Sequence, residues 1–169
     1  MKLVEPDKIN ESEFCDFIDQ LKEVDEELIP CTLDQKDLSF HDYIKQLNDQ
    51  AKGRGLPEGW VPASSFFLLD DKNKIYGAIN IRHRLTEILE TLGGHIGYSI
   101  RPTERKKGYG SLILNLGLQE AIKLGLKKVL VTCNINNIAS AKVIQNNGGK
   151  FDSISKVDDK TMNRYWIKL

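Results

Sequence analysis

The chain has 169 residues, of which 40% are apolar and 28% are charged. This length and composition indicate a globular protein that can form a hydrophobic core, and they exclude disordered, collagen-like and disulfide-scaffold proteins. The 24 basic residues balance the 24 acidic ones, which argues against a dedicated nucleic-acid-binding protein. The charge is unevenly distributed, because residues 1–30 hold ten acidic and three basic residues, whereas the remainder holds 14 acidic and 21 basic ones.

No feature of the sequence predicts a membrane, secreted or metal-dependent protein. The longest uninterrupted apolar run is Phe66–Leu69, far short of the roughly 20 residues of a membrane-spanning helix. An acidic residue already at position 5 leaves no signal-peptide core. The three cysteines are far apart and the three histidines have no metal-ligand spacing. We therefore expect a cytoplasmic protein with reduced thiols, no membrane partner and no metal.

Two amphipathic helices are predicted in the N-terminal part. Apolar residues recur at helical spacing over 14–28, with Asn10 as the N-cap and Pro30 as the end of the helix. A second helix is predicted over 37–51. The segment 52–63 contains three glycines and two prolines, which predicts a loop.

Strands dominate the pattern after this loop. The apolar run and period-two alternation over 64–84 predict an antiparallel hairpin, followed by an excursion with a helical turn. Further elements are predicted in the order strand 95–100, helix 107–124, strand 127–133, helix 138–146 and strand 163–169. This order predicts a mixed α/β fold, with a largely antiparallel sheet, one βαβ unit and helices packed on the sheet.

A basic, glycine-containing turn precedes the long helix. Gly108 and Gly110 leave the backbone bare at the helix start, where the first N–H groups have no internal partner and attract anions. The spacing of these glycines matches neither a dinucleotide fingerprint nor a P-loop. We therefore expect a site for another phosphate-bearing ligand, with a solvated basic turn as the alternative. The positive charge placed here is carried by Arg101, Arg105, Lys106 and Lys107.

Three motifs in this part of the chain resemble the GNAT superfamily of N-acetyltransferases. Arg105-x-x-Gly108-x-Gly110 resembles its R/Q-x-x-G-x-G/A motif, and Ile100-Arg101-Pro102 resembles the V-x-P at the end of its fourth strand. The stretch 137–144, with the glycines at 148–149, resembles its later N-x-x-A/S helix. The resemblance covers 60–169. The length of the chain predicts a single domain over 1–169, with N-terminal helices in 1–52.

Within this superfamily, two segments resemble a bacterial group whose substrate is unassigned. They are the stretch 93–98 and the closing Arg164-Tyr165-Trp166. The superfamily has two central strands that splay apart around the cofactor, so the resemblance implies the same arrangement here.

The resemblance implies transfer of an acetyl group from acetyl-CoA to a primary amine of a small molecule or peptide, by direct attack. Backbone groups of Tyr98, Ser99 and Ile100 would bind the pantetheine and thioester, and Asn137 and Ser140 would contact the cofactor nearby. The pyrophosphate would be held by backbone N–H groups of Arg105, Lys106, Lys107, Gly108, Tyr109 and Gly110.

The catalytic residues stay open at this point. The strand carboxylate and the helix tyrosine that some relatives use fall at Gly94 and Ile144, so neither role can be carried over. The candidates are Tyr98, His95 and Ser140, with packing or cofactor contact as the alternative roles. Strand alternation predicts that the histidine lies on the opposite face from the tyrosine.

The acceptor side is less defined by the sequence. The acidic residues Asp25, Glu26 and Glu27 would attract a cationic amine, with a solvated helix face as the alternative. Two other functions remain open: a non-catalytic acyl-CoA-binding or sensing module, and a nucleotide-binding α/β protein. A homodimer is also compatible with the resemblance.

Overall fold

The computed structural model describes residues 1–169, which form one seven-stranded sheet with two helices on each face. The strands are β1 (Lys2–Val4), β2 (Ala63–Leu69), β3 (Ile75–Arg82), β4 (Ile96–Ile100), β5 (Lys128–Asn134), β6 (Lys150–Val157) and β7 (Lys160–Lys168). The helices are α1 (Glu11–Glu23), α2 (Phe40–Ala51), α3 (Tyr109–Lys123) and α4 (Ile138–Asn146). None of these helices has the length and apolar character that crossing a membrane requires.

The strand order is β1-β2-β3-β4-β5-β7-β6, and β4–β5 is the one parallel pair. Helix α3 makes the crossover between these two strands, so the predicted mixed sheet with a βαβ unit is confirmed. Pairing between β4 and β5 is confined to Ile96 and Val131. Beyond this pair the strands separate, which confirms the predicted splay.

Each face of the sheet carries its own apolar core. Alternation along β3 directs Ile79 and Ile81 toward α3 and α4, whereas Phe67 and Leu69 of β2 pack under α1 and α2. Helix α3 lies close to the sheet because Gly117 faces Ile79, where an added Cβ would come within 2.3 Å of the isoleucine Cδ1. This close packing fixes the start of α3 beside the gap between β4 and β5.

The end of α1 is the clearest difference from the predicted elements. The apolar spacing predicts a helix as far as residue 28, but α1 ends at Glu23 and Asp25 takes a left-handed φ of 51°. Three carboxylates in a row at 25–27 would face the negative end of the helix dipole, which disfavours continuing the helix. The following residues therefore form a separate segment between α1 and α2.

Two strands were not predicted, and one was predicted too short. Strand β1 has three residues, and β6 is an edge strand whose Phe151 and Ile154 are exposed, so neither shows the pattern of a buried strand. Strand β7 begins at Lys160 rather than at 163. The predicted excursion after β3 contains a π-helical turn over Leu89–Gly93.

Candidate active site

A cavity of about 840 Å³ lies where β4 and β5 separate. Its walls come from four places: the end of β4, the turn leading into α3, the end of β5 with the start of α4, and the segment between α1 and α2. The gap in the sheet is therefore continuous with the glycine-containing turn. Backbone groups that a neighbouring strand would otherwise pair are left facing this space.

The β3–β4 register decides which backbone groups of β4 face the gap. Arg101 donates its N–H to the carbonyl of Tyr76, so the odd-numbered residues of β4 point their backbone groups at β3. By alternation, Tyr98 and Ile100 turn theirs toward β5, in the region where β5 no longer pairs. Ser99, which pairs with Ala78, instead contributes a buried hydroxyl without a hydrogen-bond partner.

The turn before α3 holds six consecutive backbone N–H groups, those of residues 106–111, which donate to no protein acceptor. We call this set the amide cradle. Lys106 and Gly108 both take left-handed φ angles, 62° and 88°, which bend the chain so that α3 begins immediately after the turn. The predicted set is shifted by one residue, since Arg105 N–H already donates to the carbonyl of Pro102 and Ser111 extends the cradle.

The cationic side chains around the amide cradle have different partners. Arg105 donates from Nη1 and Nη2 to the two carboxylate oxygens of Glu26, at 2.7 Å each. Lys107 is held by Glu104 at 2.9 Å and lies outside the cavity lining, whereas Lys106 lines the cavity. Tyr109 points its ring at Tyr76, with ring centroids 4.8 Å apart. Among these four side chains, those of Arg105 and Lys106 face the cavity.

The prediction that Arg101 adds charge to this site is wrong. Its side chain is 1% exposed and pairs with Glu13 and Asp16 of α1. Its Nε donates to the carbonyl of Ile75. Arg101 therefore joins α1 to the central strands instead of serving the cavity.

Tyr98 and Ser140 meet across the gap, with Oη and Oγ 3.0 Å apart. Ser140 lies in the first turn of α4, where its N–H donates to Oδ1 of the N-cap residue Asn137 at 2.9 Å. Burial raises the pKa of Tyr98 to about 12, so the phenol keeps its proton at neutral pH. Cys133 of β5 is buried beside this pair, and burial raises the pKa of its thiol.

His95 lies away from the other two catalytic candidates and does not line the cavity. Its Nδ1 accepts the N–H of Leu130 at 2.9 Å, and its ring packs edge-on against Trp166. Burial, with smaller contributions from the charges of Arg82 and Lys128, lowers the pKa of His95 from 6.5 to about 4. The imidazole is therefore neutral and has a structural hydrogen bond.

The acidic residues 25–27 lie in the segment between α1 and α2, not on a helix face. Glu26 and Glu27 both line the cavity. The Arg105 guanidinium holds the pKa of Glu26 below its usual range, and Glu27 accepts from Lys160 at the start of β7, at 2.9 Å. Glu26 thus ties this segment to the turn before α3, and Glu27 ties it to the start of β7.

The cavity lining includes polar residues that the sequence reasoning did not place at the site, among them Ser111, Asn134 and Asn136. Ser111 belongs to the amide cradle, and Asn134 and Asn136 line the cavity at the end of β5. A run of asparagines directly after a predicted strand was the available signal for the last two, because such residues favour turns that present polar groups.

The family model of the acetyltransferase (GNAT) domain matches residues 15–150, so the chain belongs to the GNAT acetyltransferase family. A mutant of the Vibrio cholerae spermidine N-acetyltransferase SpeG shares 12% identity at a TM-score of 0.64, over 99% of this chain and 95% of that one. A Salmonella typhimurium acetyltransferase that modifies the N-terminal serine of a 50S ribosomal subunit protein shares 16% identity at a TM-score of 0.64, over 99% of this chain and 94% of that one.

A GNAT-family acetyltransferase from Streptococcus pneumoniae shares 17% identity at a TM-score of 0.65, over 99% of this chain and 100% of that one. These likenesses establish a common fold. No curated protein sequence matches the chain.

Proposed function

We propose that this acetyltransferase moves an acetyl group from acetyl-CoA to a primary amine of a small molecule or peptide, by direct attack of the amine. The observation that carries the proposal is the amide cradle, which opens into a cavity that extends to the Tyr98–Ser140 pair. A site for a polyanion at one end and a hydrogen-bond donor at the other suit an acyl-CoA reaction.

The groups around the cavity fit acetyl-CoA in chemical character. Unpaired backbone N–H groups at a helix start, with Arg105 and Lys106 beside them, suit a pyrophosphate. The backbone groups of Tyr98 and Ile100 suit the amide-bearing pantetheine arm, which can pair like a missing strand. The bound cofactor would supply an activated thioester.

In this proposal Tyr98 stabilises the departing sulfur. With its pKa raised to about 12, the phenol is a weaker acid than a thiol, whose pKa is about 8.5. Tyr98 therefore donates a hydrogen bond and keeps its proton, while Ser140 orients its hydroxyl. One preorganised donor of this kind is typically worth about 3 kcal/mol of barrier.

The carboxylates of Glu26 and Glu104 are poorly suited to act as the general base. No histidine lines the cavity, and the pKa values of Glu26 and Glu104 are lowered by Arg105 and by Lys74, respectively. A carboxylate with a lowered pKa takes up a proton poorly near neutral pH. We infer that the acceptor amine loses its proton to solvent before it attacks.

Direct attack is favoured over an acyl-cysteine intermediate. Cys133 is buried, does not line the cavity and has a raised pKa, so it is neither accessible nor a thiolate.

The acceptor class follows from the wall that faces the cavity from residues 25–27. Two of its three acidic residues are paired with Arg105 and Lys160, which leaves one excess negative charge to favour an amine that carries a further positive charge. The spermidine and N-terminal serine acetyltransferases with the same fold act on amines, which supports this choice.

We further propose that the protein is cytoplasmic. All three cysteines are free thiols, which supports a reducing compartment.

Two measurements test the proposal. A ligand at a hundredfold excess over its Kd stabilises a protein by about 2.7 kcal/mol, so coenzyme A should raise the melting temperature more than ATP or NAD does. Acetyl-CoA should then turn over with a panel of amino acids, polyamines and peptides. Stronger protection by ATP or NAD contradicts the proposal, and coenzyme A binding without turnover supports a sensing module instead.

A further inference from the structure

Each of the three guanidinium nitrogens of Arg105 already donates one hydrogen bond, although the residue stands at the edge of the amide cradle. Its two terminal nitrogens donate to Glu26, and its Nε donates to the carbonyl of Ile100 at 3.2 Å. Arg105 and Glu26 both line the cavity, from opposite walls. The guanidinium therefore bridges the turn before α3 and the segment between α1 and α2.

A phosphate placed at the amide cradle would meet the same guanidinium. Carboxylates and phosphates both accept the paired N–H groups of arginine in bidentate geometry. The Nη1 and Nη2 pair that holds Glu26 can therefore bind either the carboxylate or a phosphate, but not both at once. The side chains of Arg105 and Glu26 are 34% and 54% exposed, and ion pairs this accessible to water contribute little net stability. The pair can therefore open when a stronger partner arrives.

We propose that Glu26 competes with the phosphates of the cofactor for Arg105. Glu26 holds the guanidinium while the cavity is free, and cofactor binding releases the Glu26 carboxylate. This inference rests on the proposed function, since it assumes a phosphate-bearing cofactor at the amide cradle. It adds a role for a residue outside the three family motifs.

Glu27 provides a charge-matched control. It follows Glu26 in the chain and lines the same cavity, but its partner is Lys160 of β7, which does not line the cavity. Glu27→Gln changes the local charge by the same amount and leaves the pairing of Arg105 unchanged. A difference between the two variants therefore reports on the Arg105 pair.

The experiment is a calorimetric titration of coenzyme A into the wild type, Glu26→Gln, Glu27→Gln, Arg105→Gln and the double variant Glu26→Gln/Arg105→Gln. We expect Glu26→Gln to tighten binding by up to about fivefold, the range for releasing an exposed ion pair, and by more than Glu27→Gln does. In the Arg105→Gln background, Glu26→Gln should change the affinity no more than Glu27→Gln does in the wild type.

Two results would overturn the inference. One is an equal effect of Glu26→Gln and Glu27→Gln on the wild type. The other is a tightening by Glu26→Gln that persists at full size without Arg105, because Glu26 would then act only as a nearby negative charge. Absence of coenzyme A binding to the wild type contradicts the proposed function itself, which separates the two failures.

Discussion

Tyr98 is the single side chain whose environment most clearly suits chemistry. Replacing it by phenylalanine keeps the ring in place but removes the hydroxyl that we propose donates to the departing sulfur. We expect Tyr98→Phe to lower kcat by about a hundredfold, the cost of one preorganised donor, with little change in the KM for acetyl-CoA. Ser140→Ala, which removes only the orienting hydroxyl at 3.0 Å, should have a smaller effect.

Steady-state rates at saturating amine give the kcat of both variants. An unchanged kcat in Tyr98→Phe would show that the phenol only packs against the cofactor.

The buried His95 is expected to affect the pH dependence of folding stability and not catalysis. Its pKa in the folded protein is about 4, below the usual 6.5, so the unfolded chain takes up a proton at higher pH than the folded one. The stability from keeping His95 neutral is fully present above pH 6.5 and is lost as the pH falls toward 4. The two values correspond to a maximum of about 3 kcal/mol.

His95→Asn keeps an acceptor near Leu130 N–H and removes the titration. Urea unfolding at pH 7 and pH 4.5 should show a smaller loss of stability in this variant than in the wild type. Equal losses in both proteins would mean that other groups account for the acid sensitivity.

At the level of elements, the turn into α3 depends on one backbone conformation. Gly108 has a φ of 88° with no atom near its missing side chain, so a substitution strains the backbone without a clash. We expect Gly108→Val to weaken coenzyme A binding at least tenfold, because a side chain there strains the turn and projects at the cradle. Gly125 is the control, since it has a φ of 83° in similarly open space at the other end of α3.

The two variants should lose similar stability in urea, about 1–2 kcal/mol for a left-handed valine, whereas only Gly108→Val should lose affinity. A comparable loss of affinity in Gly125→Val would assign the effect to general destabilisation.

The elements that the sequence predicts well are those with a local cause. Helix α3 has an apolar stripe and glycines at its start, and the β2–β3 hairpin has a period-two pattern around a polar turn. Strand β6 lacks such a cause, because as an edge strand it leaves Phe151 exposed. The end of α1 depends on the left-handed Asp25, whereas the apolar spacing continues past it.

The same distinction applies to the site. The amide cradle could be predicted from two glycines and the start of a helix, which are neighbours in sequence. The partners of Arg101 and Arg105 lie 79 to 88 residues earlier in the chain, and no local pattern encodes such pairs. This is why the four basic residues near the turn, predicted as one group, separate into different roles.

For the whole molecule, the unequal distribution of charge becomes a set of contacts between the two parts. Acidic residues of the first 30 pair with bases beyond residue 100: Glu13 and Asp16 with Arg101, Glu26 with Arg105, and Glu27 with Lys160. The excess charges therefore attract the N-terminal region to three places in the rest of the chain: the end of β4, the turn before α3 and the start of β7. Part of the positive charge is consumed in this way and is not available to a ligand.

Arg101 is the one pair member that is fully buried, so it should matter most for folding. Arg101→Met removes the guanidinium donor of Glu13, Asp16 and the carbonyl of Ile75. Because Glu13 keeps the N–H of Ile75, Asp16 keeps the amide of Gln20 and both carboxylates reach water, we expect a loss of about 2–3 kcal/mol. Urea unfolding measures this loss. Lys107→Met, which removes a half-exposed ion pair with Glu104, should cost less than about 1 kcal/mol.

Coenzyme A titration of folded Arg101→Met distinguishes the two roles considered for this residue. Because the guanidinium does not line the cavity, we expect the affinity to match that of the wild type. A tenfold loss of affinity with unchanged stability would instead restore Arg101 to the cofactor site, as the sequence suggested. A loss of stability with wild-type affinity therefore indicates the structural role, whereas a loss of affinity with wild-type stability indicates the role in cofactor binding.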